Sequence, residues 1–214
     1  MTSTSNIKVL DRLAKFFIPF ILGFGVFAIL WYLLKESVWM KVWPLITGYF
    51  FPPLGKESII PSGVLVFGID PLLMALSIAF VDIVVALFLV WNYDLAKKIP
   101  FVGKFMIKIE EKGKNVEQKY AWVKPLRFIG IVLFVMIPFQ GSGGLVGSIV
   151  GRLIGMKPWN TFLAISIGAV VGCLLIASFA NAFLIFAGIN TTLTLILVAV
   201  IVAIIVIYYL IKKK

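Results

Sequence analysis

Two carboxylates stand where carboxylates are costly to place. Glu57 lies in "FPPLGKESIIPSG" (residues 51–63), and Asp82 lies near the middle of the apolar run Pro71 to Trp91. A charge at the bilayer centre costs ~2.5–3.5 kcal/mol on insertion scales, which makes acids at that depth candidates for function. Glu57 reads as a cavity carboxylate that binds a proton or a cationic group. Its plainer alternative is an exterior loop holding Lys56 and Glu57. Asp82 reads as a second proton or binding site, against a carboxyl neutralised by packing with a lysine or a serine. Arg152, in "VGRLIGM", could hold a phosphate bidentately, or snorkel to cytoplasmic headgroups. Ser58, Ser62, Gln140 and Ser142 either line the site or satisfy freed backbone groups. There is no histidine, so imidazole catalysis and histidine metal ligation are excluded. The single cysteine, Cys173, lies in an apolar run and reads as a small buried hydrophobe. With no nucleophile–base pair and no metal cluster, neither an enzyme, a cofactor nor a metal is expected.

The elements that hold these residues must be membrane elements. Of 214 residues, 62% are hydrophobic and 14% charged, with a mean hydropathy of +1.10. Soluble domains carry roughly 45–50% apolar and about 25% charged residues. The apolar runs are continuous and not alternating, which excludes a β-barrel. The net charge of +11 comes mainly from lysines between and beyond those runs. Such placement points to topology and anionic headgroups, not to nucleic acid.

Residues 16–34 read as a full span with Trp31 and Tyr32 near one end, retained as an anchor and not cleaved. Residues 38–69 hold two apolar pieces too short to cross, interrupted by Pro44, Gly48 and "PPLGKES", and read as a re-entrant hairpin. Asp70-Pro71 is a helix start, and 70–92 is a span. Residues 93–125 form a lysine-rich loop in which Phe101, Phe105 and Ile109 recur at helical spacing, as in an amphipathic surface helix. Residues 126–156, broken by "IPFQGSGG", read as a second re-entrant hairpin. Residues 160–187 and 193–211 complete four full spans. Gly143, Gly147, Gly151 and Gly155 make a smooth helical face suited to close packing, and that face also permits a homodimer.

With both termini and the lysine loop in the cytoplasm, four spans close only if each hairpin returns to its own side. The hairpins then enter from opposite faces, the pattern of an inverted repeat. "PSGVLV" (61–66) echoes "GSGGLV" (141–146), and "ALSIA" (75–79) echoes "AISIG" (164–168). Irregular chain at depth survives only against protein or water. The two tips are therefore expected to face each other across a hydrated midplane cavity.

"GKESIIPSG", the acidic span after it and "IPFQGSGGLVGSIVGRLIGM" resemble the small multidrug export protein family, within the DedA (VTT, SNARE-associated Golgi) superfamily. The resemblance covers about residues 50 to 185. It implies two opposed re-entrant hairpins and membrane transport; DedA relatives are linked to moving lipids, polyprenyl-phosphate carriers among them, with proton coupling. Glu57 and Pro61 match the first hairpin's acid-and-proline pattern, and Pro138, Gly141 and Gly143 match the second's. DedA-type second hairpins carry arginines at the tip, where this chain has Gln140 and Ser142.

The sequence thus predicts an all-α polytopic protein of the cytoplasmic membrane with both termini inside. The leading expectation is a translocase or scramblase of anionic lipid, using Glu57 and Asp82 for protons and Arg152 for a headgroup. The alternatives are a proton-coupled exporter of amphipathic cations and a non-transporting membrane organiser. The expected partners are anionic lipids and protons.

Overall fold

The computed structural model describes residues 2–51, 54–93, 124–138 and 142–190, together with 192, 196, 199, 200 and 208. The amphipathic helix expected near 101–109 lies outside the described residues, as does most of the span expected at 193–211. Every described regular element is helical: α1 (Thr2–Leu33), α2 (Glu36–Gly48), α3 (Lys56–Pro61), a π-helical turn (Ser62–Val66), α4 (Pro71–Trp91), α5 (Lys124–Met136), α6 (Gly144–Leu153) and α7 (Pro158–Ile189). Among the described residues, three helices are long and apolar enough to cross a membrane: Leu10–Leu33, Pro71–Trp91 and Pro158–Ile189. The chain is a membrane protein.

The centre is the α4–α7 pair. Trp91 at the end of α4 meets Trp159 at the start of α7, with ring centroids 6.4 Å apart, so the two helices run antiparallel. Small buried residues run along both helices: Ala75, Ala79 and Ala86 on α4, and Ala164, Gly168, Ala169, Gly172 and Cys173 on α7. With hydrocarbon outside, no hydrophobic force separates inner from outer faces, and close backbone approach is what holds such helices. Asp70 starts α4 as its spacing predicts, its carboxylate accepting from the Leu73 N–H at 2.9 Å ahead of Pro71.

Each long central helix is preceded by a segment that doubles back on itself. In the first, Lys41 of α2 donates to the Phe67 carbonyl at 3.0 Å. Nearer the turn, Gly63 lies against Leu45 and Gly48 against Ile59. The arms are antiparallel and turn within residues 49–55. Pro44 does not interrupt α2, which runs through it to Gly48. Pro61 likewise lies inside α3, and the helix widens into the π turn immediately after it. Gly68, at φ +63°, makes the left-handed link to α4 that other residues rarely adopt.

In the second, α5 runs parallel to α7 and α6 returns antiparallel to it. A Cβ at Gly168 would lie 2.6 Å from the Val132 carbonyl, and one at Gly172 would lie 2.8 Å from that of Met136. A Cβ at Gly147 would press Val135 at 2.7 Å, and one at Gly151 would meet Thr161 at 2.6 Å. Gly143, Gly147 and Gly151 are therefore used in internal packing, whereas Gly155, the fourth of the repeat, is exposed and lies past the end of α6 at φ +82°. The turn between α5 and α6 sits beside Gly172, about 21 Å along α7 at 1.5 Å per residue. The long helix α1 lies outside this centre. It touches α4 through Phe16 and Phe20 against Phe88, at 5.5 and 5.1 Å between ring centroids, and α2 through Phe27 against Trp39.

Candidate functional site

The two turns meet at Asp82, about 17 Å into α4 by helical rise. One oxygen of its carboxylate, Oδ1, accepts from the Tyr49 hydroxyl at 2.9 Å and from the Gly144 N–H at 2.7 Å. Tyr49 closes α2, in the first doubled segment, and Gly144 opens α6, in the second. The first N–H groups of any helix lack partners within it and carry the positive end of its dipole. Gly143, at the N-cap of α6, has no side chain to serve them, and Asp82 supplies the cap from another helix. Space permits nothing bulkier. A Cβ at Gly143 would lie 2.6 Å from the Tyr49 hydroxyl, and one at Gly144 would strike the Asp82 backbone.

The opposite end of the same break is served by a cation. Lys56, only 1% exposed, donates from Nζ to the Val135 carbonyl in the last turn of α5. A cation at a helix C-terminus offsets the negative end of the dipole. Beside it the Ser142 hydroxyl donates to the Ile137 carbonyl at 2.7 Å. The break in the second segment is therefore closed by a carboxyl oxygen at one end and a cation at the other, both contributed by residues before 93.

The remaining polar atoms are not all satisfied. Asp82 is 3% exposed, yet its second oxygen, Oδ2, is buried and has no hydrogen-bond partner among the described residues. Lys56 lies within electrostatic reach of Asp82 and of the fully buried Cys173 but forms no direct ion pair with the carboxylate. A buried acceptor left unpaired costs about 1–3 kcal/mol, and more for a charged group.

The sequence-predicted residues divide accordingly. Asp82, Ser142 and Gly143 are in the site. Glu57 is at its edge: the carboxylate folds back over Gly55, partly buried, with Oε2 unpartnered among the described residues and Tyr49 within electrostatic reach. Ser58 offers its backbone carbonyl to the Ser62 hydroxyl at 2.7 Å, and Pro61 is inside α3. Gln140 and Gly141 lie outside the described residues. Arg152 is elsewhere. It sits about 12 Å from Gly144 along α6, donates to the Met156 carbonyl at 2.8 Å and lies 4.9 Å over the Tyr93 ring. Tyr49, Lys56 and Gly144 escaped sequence reasoning. The sequence does not distinguish Lys56 from its neighbour Glu57, because only the rotation of a six-residue helix decides which of the two turns inward.

Where the sequence predicts a hydrated cavity between the tips, the described residues show direct contacts. Among the described residues, the two turns are joined directly, through Tyr49 and Gly144 on the Asp82 carboxyl and through Lys56 on the Val135 carbonyl. A cavity of about 1040 Å³ lies on another face of α4, between α1, α2 and α4, walled by side chains such as Phe20, Phe24, Trp43, Phe80 and Phe88. Thr47 and Ser77 line it, but their hydroxyls are committed to the Trp43 and Leu73 carbonyls of their own helices. Asp82 does not face it.

A family model described as "Putative small multi-drug export protein" matches residues 58–175, a stretch that contains Asp82, Val135, Gly144 and Cys173. Searches of curated proteins and of solved structures found no match.

Proposed function

The chain belongs to the small multi-drug export protein family, and from that membership we propose that it is a proton-coupled exporter of small amphipathic molecules, with Asp82 as the proton site. One observation carries the reading. A carboxylate midway along a central apolar helix ties both turns together through one oxygen and leaves the other free. Hydrogen bonds to an ionised acceptor are roughly twice as strong as neutral ones. A proton taken up on the free oxygen therefore weakens the bonds from Tyr49 and Gly144 together and loosens one doubled segment from the other. Two packed arrangements of the tips, one for each charge state, are what alternating access requires. A cationic substrate bound directly to Asp82 is disfavoured by Lys56 beside it, so the substrate's apolar body is assigned to the aromatic cavity.

The same reading makes the two doubled segments re-entrant hairpins. Each turns at mid-depth beside the long helix that follows it, and α4 and α7 are antiparallel, so the two enter from opposite faces as an inverted repeat. The lysine-rich parts then lie on the cytoplasmic side of the cell membrane.

The test is ethidium efflux from proteoliposomes under an imposed pH gradient. Wild type should export the dye only with the gradient present, and Asp82→Asn should lose at least tenfold in rate. Equal efflux with and without the gradient would remove the proton from the mechanism. A second reading, lipid translocation of the DedA kind, is favoured by the cavity, whose long hydrocarbon walls would also suit a lipid chain. Flipping of a headgroup-labelled polyprenyl phosphate in the same vesicles, without dye export, would move the assignment there.

A further inference from the structure

We propose that Lys56 is a tethered counter-cation that shares Asp82 with the proton: it stands on the Val135 carbonyl while Asp82 is protonated and moves onto the free Asp82 oxygen when the proton leaves. The inference rests on Asp82 as the proton site and adds a residue to it. Lys56 and Asp82 are both almost free of water, at 1% and 3% exposure. Yet the ammonium is bonded to a neutral carbonyl while an unpaired carboxylate oxygen lies within electrostatic reach. A buried lysine beside a fully charged, unpaired carboxylate would close on it. The arrangement seen is the one that suits an Asp82 carrying its proton.

The alternative partner is already in place and so is the means of moving. Lysine is a compact charge on a flexible four-carbon stem, and Lys56 opens α3 directly after Gly55. Its charge acts on Asp82 from α4 and on Cys173 from α7, and these two, with Glu57 from α3, act in turn on Tyr49 at the end of α2. From α5 and α6 the described residues near it offer backbone groups, Arg152 being at the far end of α6. Release of Lys56 from Val135 uncaps the last turn of α5, so charge on Asp82 is converted into movement of the second doubled segment. This gives the cycle two coupled contacts, Asp82 to α6 and Lys56 to α5, that cannot both be at their strongest in either charge state.

The test uses the full chain in nanodiscs and reads the infrared band of the protonated carboxyl that disappears in Asp82→Asn, titrated with pH. Lys56→Gln keeps a donor for the Val135 carbonyl but removes the charge; Lys56→Arg keeps the charge. Losing a cation near a carboxylate lets it hold its proton to higher pH, by about one unit or more at such range. Lys56→Gln should therefore shift the Asp82 midpoint toward alkaline pH by that amount, and Lys56→Arg should leave it near wild type. An unchanged midpoint in Lys56→Gln, with only a lower melting temperature, would reduce Lys56 to a cap on α5 and leave Asp82 as the proton site. A wild-type band that does not titrate at all would overturn both.

Discussion

The two doubled segments have the same outline and opposite chemistry. The first, residues 36–66, brings side chains to the centre: Tyr49, Lys56 and Glu57 cluster at its turn. The second, residues 124–153, brings backbone there: the Val135 carbonyl and the Gly144 N–H, with Gly143 beside them. One segment is built to offer charge and the other to need it. A break in a helix at membrane depth exposes carbonyls at one end and N–H groups at the other, and in hydrocarbon each must find a partner. Here the partners come from the first segment and from Asp82, so the stability of the second half depends on residues of the first.

That dependence can be broken most severely at Asp82. Asp82→Ala removes the acceptor from the Gly144 N–H and the Tyr49 hydroxyl together and takes from Lys56 the buried acid within its electrostatic reach. Removing one partner of a buried charged network costs about 3–5 kcal/mol. Asp82→Asn keeps an oxygen that can accept from Gly144 and should cost less than half as much. Thermal unfolding in detergent of the two variants checks this. Equal losses would mean that the charge, and not the cap, holds the break together.

The next largest effect tests the backbone side of the comparison. Gly144→Ala places a methyl group against the Asp82 backbone. Forcing extra volume into a packed core costs about 1–3 kcal/mol, here in excess of the ~1 kcal/mol that alanine gains over glycine in a helix. Gly130, on α5, is the control, because a Cβ there meets nothing within 4 Å. Gly130→Ala should be neutral or slightly stabilising, and matching losses at both positions would dissolve the case for close approach at the tip.

Tyr49→Phe is the milder way to loosen Asp82 from the first segment alone. It removes one hydrogen bond and little volume, and interhelical hydrogen bonds in membranes are worth about 0.6 kcal/mol on average and about 1.7 at most. A loss near the upper figure is expected because the acceptor is a carboxylate. A gradient-dependent export rate that rises while stability falls would sharpen the reading, since a weaker tie between the segments should ease their separation.

Much of this architecture is written in one-dimensional signals. Runs of apolar residues locate α4 and α7, Asp70-Pro71 fixes where α4 begins, and "IPFQGSGG" marks the second break. Asp82 declares itself because no lipid-facing helix needs an acid at its midpoint. Other features depend on three-dimensional placement. Pro44 and Pro61 look like breaks, yet both lie inside helices, because a proline ring is tolerated where packing fixes the backbone around it. Lys56 and Glu57 are adjacent and opposite in charge, and the helical turn they begin is too short to show an apolar face. Gly144 is one glycine among 18 in the chain; only the position of Asp82 on another helix makes it a donor that matters.

The smallest expected effect tests whether Arg152 belongs to this centre. Its guanidinium caps the end of α6 through the Met156 carbonyl and stacks on Tyr93, contacts of the kind that stabilise a helix terminus. Arg152→Gln should cost about 1 kcal/mol, from a cation–π contact worth ~0.5–1 kcal/mol and the loss of a favourable charge at a helix C-terminus. Because the residue lies about 12 Å from Gly144 along α6, the pH dependence of ethidium export should be the same in Arg152→Gln as in wild type once rates are scaled to folded protein. If instead export or flipping of an anionic lipid falls tenfold with stability unchanged, Arg152 is a headgroup contact and the site extends along the whole of α6. The second segment would then contribute recognition as well as backbone, and the division of labour between the two segments would no longer hold.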